Sequence, residues 1–386
     1  MASSRIKPSL LRQMTIRQVL ECLQTLGPLS RADLTRETGI SAPTVSKAVV
    51  ALLDSGLLEE GLAPENAVGR PGKRLQLASD SAQVLGVVLE SSECQIVTAT
   101  LGGQIDESRT RSFKTPGSYD TLLDQLEEHL QAMLSETEVI TLGVGITVPG
   151  LQDGLKCLVS PNMPVMNHQT PAVDLEERLK VTCFSVQEVR GLCVAERLYG
   201  EASGLDDFAV LDVTTGLGMG AFSRGEILTG QRGLAGEIGH TTVDPAGRLC
   251  GCGNHGCLET LATDVALTHL ISERLKRPIH IEEVISGLQD GSLQAPDEVN
   301  QVLEYLSIAM AATMNLLNPS HLFVHGQMLD ISDDILPRAI RMTQRRALGP
   351  SFESCEVKAA VVTKPLAAIA GIVHHLTASF GPRVSN

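Results

Sequence analysis

Ile16, Val19, Leu20, Leu23 and Leu26 recur at helical spacing, which predicts an amphipathic helix ended by Gly27-Pro28. Ser30 stands three residues before Asp33, a capping-box pattern that predicts a second helix over Arg31 to Thr38, with Gly39 as the turn. A third helix is expected from Ser41, with Pro43 in the first turn, where a missing N–H costs little. Its pattern buries Val45, Val49, Leu52 and Leu53 and turns Pro43, Thr44, Lys47 and Ala48 outward. Two short helices joined by a Gly turn, the second opening on small polar residues, describe a helix-turn-helix. Past Gly56, Leu57-Leu58 and Leu75-Gln76-Leu77 can pair as the strands of a wing, with the basic run Gly69-Arg70-Pro71-Gly72-Lys73-Arg74 before the second. Thr44, Ser46 and Lys47 are the candidates for base edges or phosphates, and Arg70, Lys73 and Arg74 for the DNA backbone.

From Gln83 the pattern changes to strands. VLGVVLE, QIVTATL and QIDESRT read as three consecutive strands, followed by a helix over Leu122 to Leu134 and the strand VITLGVGITV. The theme returns near residue 208 with FAVLDVT, MGAFSRG and EILTG, then helices, then LFVHG. Two lobes that each open with a β-meander and close with helices predict a cleft in which a ligand is gripped. The apolar helices Val299 to Leu317 and Pro365 to Ser379 are both expected to pack the second lobe.

A chain of 386 residues exceeds one compact core. Boundaries are expected at 1–80 for the head, 81–200 for the first lobe and 201–386 for the second. Val, Leu, Ile and Ala between glycine turns, with 3% aromatic residues, suit an α/β fold. The net charge of −14 argues against nucleic acid for the chain as a whole. Its distribution restores that partner for the head alone: residues 1–80 hold 10 Lys+Arg against 8 Asp+Glu, the remainder 21 against 37. No apolar run approaches the roughly 20 residues of a membrane-spanning helix, and the start lacks a signal-peptide apolar core, so the expected location is cytoplasmic.

Nine cysteines are present, three of them within eight positions, which in a reducing compartment reads as a metal site. In GLAGEIGHTTVDPAGRLCGCGNHGCLET, His240, Cys250, Cys252 and Cys257 follow the spacing His-x9-Cys-x-Cys-x4-Cys. Three thiolates and an imidazole form a closed tetrahedral zinc set, structural rather than hydrolytic. His255, inside the same loop, is expected to be a surface residue. The run TTGLGMG lies between two strands, whereas a dinucleotide loop must lead into a helix. It is therefore expected to be a glycine-rich β-turn.

The segment 233–260 resembles the signature of the ROK family (repressors, open reading frames, sugar kinases). The head resembles the winged helix of that family's repressors, including its xylose and N-acetylglucosamine repressors. The resemblance implies an N-terminal winged helix-turn-helix followed by a two-lobed actin-like ROK domain of the sugar kinase/hexokinase superfamily. It also implies that Glu237, His240 and Glu259 contact sugar hydroxyls, with His240 ligating zinc through its other ring nitrogen. Gln187 and Glu188 fall where the family's kinases carry an Asn-Asp pair, whose Asp is the general base. Asn162 and Gly150 are further expected contacts. The family's glycine-rich ATP loop is here Leu89-Glu90-Ser91-Ser92-Glu93, without glycine and with two acids that repel phosphate. No catalytic residue is therefore expected; Glu188 is a degenerate base.

These features together imply a repressor of sugar-metabolism genes, not an enzyme. Its partners would be a pseudo-palindromic double-stranded operator, a sugar or sugar phosphate effector, and a second or further copies of itself as a homodimer or tetramer. A sugar kinase with a regulatory head, or a DNA-binding dimer without ligand, are the rival expectations.

Overall fold

The computed structural model of the protein describes residues 8–61 and 73–378. The head opens with α1 (Pro8–Leu26), α2 (Arg31–Thr38) and α3 (Ala42–Asp54). Ile16, Val19, Leu20 and Leu23 of α1 are buried, as their spacing requires, against Leu34 of α2 and Val45, Val49 and Leu52 of α3. The capping box of α2 is complete: the Ser30 hydroxyl accepts from the Asp33 N–H at 3.1 Å, and the Asp33 carboxylate accepts from the Ser30 N–H at 3.2 Å. Gly39 ends the helix in the left-handed conformation, φ 66°. The wing strands β1 (Leu58–Gly61) and β2 (Arg74–Leu77) pair antiparallel from Leu58↔Leu77 to Gly61↔Arg74. Leu29 joins them through two backbone hydrogen bonds with Leu75.

The body continues with β3 (Ala82–Leu89), β4 (Glu93–Ala99), β5 (Ile105–Lys114), α4 (Tyr119–Ser135) and β6 (Ile140–Val148). A hairpin of β7 (Leu151–Asp153) and β8 (Lys156–Val159) follows, then α5 (Pro171–Leu179), β9 (Cys183–Gln187) and α6 (Glu188–Tyr199). The next meander is β10 (Phe208–Asp212), β11 (Gly218–Ser223) and β12 (Glu226–Ile227). After it come α7 (Asp264–Leu275), α8 (Ile281–Asp290), α9 (Pro296–Leu317) and β13 (His321–His325). The chain closes with α10 (Ile335–Gln344), α11 (Gly349–Glu353), β14 (Glu356–Ala359) and α12 (Lys364–Ala378).

The two expected meanders are present, and the sheets built on them share one plan. Strand order is β5-β4-β3-β6-β9 in the first and β12-β11-β10-β13-β14 in the second. In each, an antiparallel meander is extended by parallel pairing of its first strand, β3 with β6 and β10 with β13. β3 and β10 are buried at every position, the signature of a central strand covered on both faces. The polar, half-exposed β5 forms an edge.

The described residues fall into two compact units. One takes the residues up to Val148, Thr170–Val186 and those from Lys364; the other takes Pro149–Gln169 and Gln187–Thr363. This division differs from boundaries at 80 and 200, because the chain crosses between the two units more than once. One helix assignment needs correction. α9 packs the second sheet, where Leu303, Leu306 and Met310 join Leu211, Leu322 and Val324 in one core. α12, expected beside it, instead lies on β3 and β6 of the first sheet. Glycines make that approach possible: a Cβ on Gly145 would stand 1.9 Å from the Ala368 carbonyl oxygen.

Candidate functional site

In the head, Pro43, Thr44 and Lys47 are exposed, as expected, and Ser46 is half-buried. Ala48 is not on that outward face. It is 3% exposed and completes the buried stripe of Val45, Val49 and Leu52, while Leu53 is only half-buried. Ser41 occupies the N-cap, but its hydroxyl bonds the Thr44 hydroxyl at 2.8 Å and no backbone N–H. Lys73 is exposed and paired with Glu60, and Arg74 donates to the Pro28 carbonyl at 3.2 Å. Arg70 lies outside the described residues.

In the second unit, His240 ends a 3-10 turn over Ile238–His240, and Cys257 precedes another over Leu258–Thr260. Cys250 and Cys252 sit on a loop closed by Cys250 N–H to Asn254 O at 2.7 Å and Gly253 N–H to Cys250 O at 2.9 Å. Gly256 is required where it is: its φ is 61°, and a Cβ there would stand 1.5 Å from the Asp244 carbonyl oxygen. The donor atoms of His240, Cys250, Cys252 and Cys257 all lie within 4.8 Å of one another. Cys250 Sγ is 3.6 Å from His240 Nδ1, and Cys252 Sγ is 3.6 Å from Cys257 Sγ. A tetrahedral site with bonds of about 2.3 Å to sulfur has edges of about 3.8 Å, so the cluster fits such an ion. Burial raises the Cys250 and Cys257 thiols above their ordinary value; a bound cation is the partner that would keep them as thiolates. His255 stands outside the cluster, exposed, with Nδ1 3.1 Å from the Gly247 carbonyl.

Beside this cluster the same unit gathers the expected polar contacts. His240 Nε2 faces Glu237 Oε2 at 3.8 Å, so the ring presents one nitrogen to the thiols and the other to a carboxylate. Gln187, the N-cap of α6, donates from Nε2 to Glu237 Oε1 at 3.3 Å. Glu259 accepts the Leu217 N–H at 3.1 Å and faces Cys250 Sγ at 3.6 Å. A Cβ on Gly216 would stand 2.8 Å from Glu259 Oε2 and 3.3 Å from Asn162 Nδ2, which places Asn162 and the glycine-rich turn at this cluster. That turn joins β10 to β11, with no helix after it. Burial pushes the Glu237 carboxyl above the usual carboxylate range, with Arg190 and His240 opposing. Glu188 opens α6 next to Gln187. Gly150 is accounted for by its turn: φ is 98°, and a Cβ would meet the Val159 carbonyl oxygen at 2.4 Å.

Two features escaped the sequence reading. Arg190, one helical turn after Gln187, donates to the Gly233 carbonyl beside Glu237; the i, i+3 spacing was its signal. Asp212 and His325, at the ends of parallel neighbours β10 and β13, pair at 3.0 Å, and Thr214 donates to the same carboxylate at 2.9 Å. Polar residues closing two apolar strands were the only local hint. In the first unit, Glu90 pairs with Lys364, while Ser91, Ser92 and Glu93 are exposed at the turn from β3 to β4.

Comparison with known proteins accounts for both parts of the chain. Residues 86–373 match the ROK family, and residues 15–59 match a winged helix-turn-helix described as DNA-binding. The N-acetylglucosamine repressor of Escherichia coli O157:H7 is 27% identical over 342 residues, covering 85% of this chain and 84% of that protein. The crystal structure of a ROK family transcriptional regulator, a homologue of the Escherichia coli MLC protein, superposes with a TM-score of 0.80 at 24% identity. It covers 96% of this chain and 98% of that one. A ROK family glucokinase from Streptomyces griseus, in complex with glucose and AMPPNP, shares the fold at a TM-score of 0.67 and 22% identity. It covers 75% of this chain and 97% of that one.

Proposed function

The chain belongs to the ROK family, and from that premise we propose that it is a transcriptional repressor of sugar-metabolism genes whose body senses a sugar or sugar phosphate and has lost kinase chemistry. The observation that carries this reading is the joining of a winged helix-turn-helix to a ROK body in one chain. Thr44, Ser46 and Lys47 on α3 read an operator, with Pro43 shaping the helix start and Arg70, Lys73 and Arg74 on the DNA backbone. Two heads related by two-fold symmetry in a homodimer or tetramer would take a pseudo-palindromic site.

Glu237, Glu259, Gln187, Glu188 and Asn162 supply acceptors and donors for vicinal hydroxyls, with His240 fixed among them. Gly150 shapes the turn nearby. Zn2+ fits His240, Cys250, Cys252 and Cys257; bound there it would hold the loop 240–257 folded and lock the imidazole orientation. The family's ATP loop has become Leu89-Glu90-Ser91-Ser92-Glu93. Lys364 offsets the Glu90 charge, so the case against nucleotide binding rests on the missing glycines and on exposed Glu93. Among the described residues no helix is long and apolar enough to cross a membrane, which accords with a cytoplasmic regulator.

Glu188, a carboxylate at the start of α6, favours one alternative, a sugar kinase with a regulatory head. A coupled ADP-release assay across common hexoses distinguishes them. The repressor reading expects no turnover; turnover abolished by Glu188→Gln would replace it with the kinase.

A further inference from the structure

We propose that Arg12, on α1, is a DNA-backbone contact, and that the groove between α1 and the outer face of α3 seats one strand of the duplex. The inference rests on the DNA-binding reading above and extends it to a helix outside the helix-turn-helix pair. The groove encloses about 750 Å³ and is lined by Arg12 and Thr15 from α1 and by Thr44, Lys47, Val50 and Asp54 from α3, among others. Its wall, which also takes in Ser46, therefore includes all three α3 residues expected to read DNA, Thr44, Ser46 and Lys47.

The distribution of paired charge singles out Arg12. Arg17 is bound to Glu21 at 3.2 Å, Arg31 to Glu60 at 3.5 Å, and Arg36 to Asp33 at 2.8 Å and Glu37 at 3.1 Å. Lys73 is bound to Glu60, and Arg74 donates to a carbonyl. Among the described cations of the head, only Arg12 and Lys47 have neither an ion pair nor a side-chain hydrogen bond, and both line this groove. Both are exposed. Two unneutralised cations on the two helices that line the groove complement a phosphate chain. Val50, 51% exposed between them and Asp54, adds an apolar surface for deoxyribose or a thymine methyl. Asp54, at the far end of α3, is the end a phosphate would avoid.

The test uses the full chain and a random-sequence duplex of about 30 base pairs, with anisotropy titrations over roughly 50 to 200 mM salt. Each lost phosphate contact should reduce the slope of log K against log salt by about 0.9. Arg12→Ala should show that reduction, Arg12→Lys should restore it, and Arg17→Ala, on the same helix but already paired, should leave the slope unchanged. Asp54→Asn should tighten binding. An unchanged slope in Arg12→Ala, with Lys47→Ala still reducing it, would overturn the proposal and leave the DNA-binding reading standing. If the unaltered protein fails to bind any duplex, both fall together.

Discussion

The imidazole of His240 is shared: Nδ1 faces Cys250 Sγ at 3.6 Å, while Nε2 faces Glu237 Oε2 at 3.8 Å. One ring thus couples the Cys/His cluster to the carboxylates of the expected sugar contacts, and the two roles separate by mutation. Glu237→Gln leaves all four metal donors in place. It should keep a full zinc content by elemental analysis and lose the sugar-induced thermal shift. His240→Ala should lose both. A Glu237→Gln protein that still responds fully to sugar would remove Glu237 from the contact set.

Metal removal should act on stability before function. Stripping the ion with a chelator leaves three thiols crowded on a loop with little apolar packing of its own. The expected loss is on the order of 3 kcal/mol or more, reversed by adding zinc. Calorimetry before and after chelation reads it; an unchanged unfolding profile would argue that no ion contributes to the fold.

Ala48 and Lys47 are neighbours in sequence with opposite expected effects. Ala48→Arg forces a charge into the buried stripe of α3 and should destabilise the head by about 3 kcal/mol, visible as lost helical signal on mild heating. Thr44→Ala with Lys47→Ala removes only exposed groups. That pair should melt normally yet abolish operator retention in a gel shift, and retention at full affinity would contradict the assignment of α3.

Asp264 carries a pH signature. Burial pushes its carboxyl up to about 6, against hydrogen bonds from the Gln327 and Met328 N–H groups; Asp212 raises it further and His325 opposes. For an acid raised in the folded state, the stabilising contribution is fully present below the unfolded value near 4. It is lost as pH rises through about 6. The loss is about 3 kcal/mol, and Asp264→Asn should remove that slope between roughly pH 4 and 6 from the stability curve. An Asn variant with the same slope would assign it to another group.

How much could be read in advance depended on sequence distance. The capping box of α2, the wing strands and the metal cluster use partners close along the chain, and spacing alone revealed them. The place of α12 could not be read this way, because it is decided by Gly86, Gly143 and Gly145, whose bare faces admit Ile369, Ala368 and Ile372 from far down the chain. The Asp212–His325 pair spans 113 residues and exists only through strand order. The short strands β7, β8 and β14 are too brief for periodicity to mark. Ala48 was misplaced for a different reason: a small side chain fits either face, and helix packing decided it.

The central claim is a body that responds to a sugar and ignores nucleotide. A thermal-shift screen of zinc-loaded protein against neutral sugars, amino sugars and their phosphates, with ATP alongside, tests it most directly. One class of sugar should stabilise the protein, Glu237→Gln should abolish that shift, and ATP should leave it unmoved. Stabilisation by ATP, or silence towards every sugar, would contradict it.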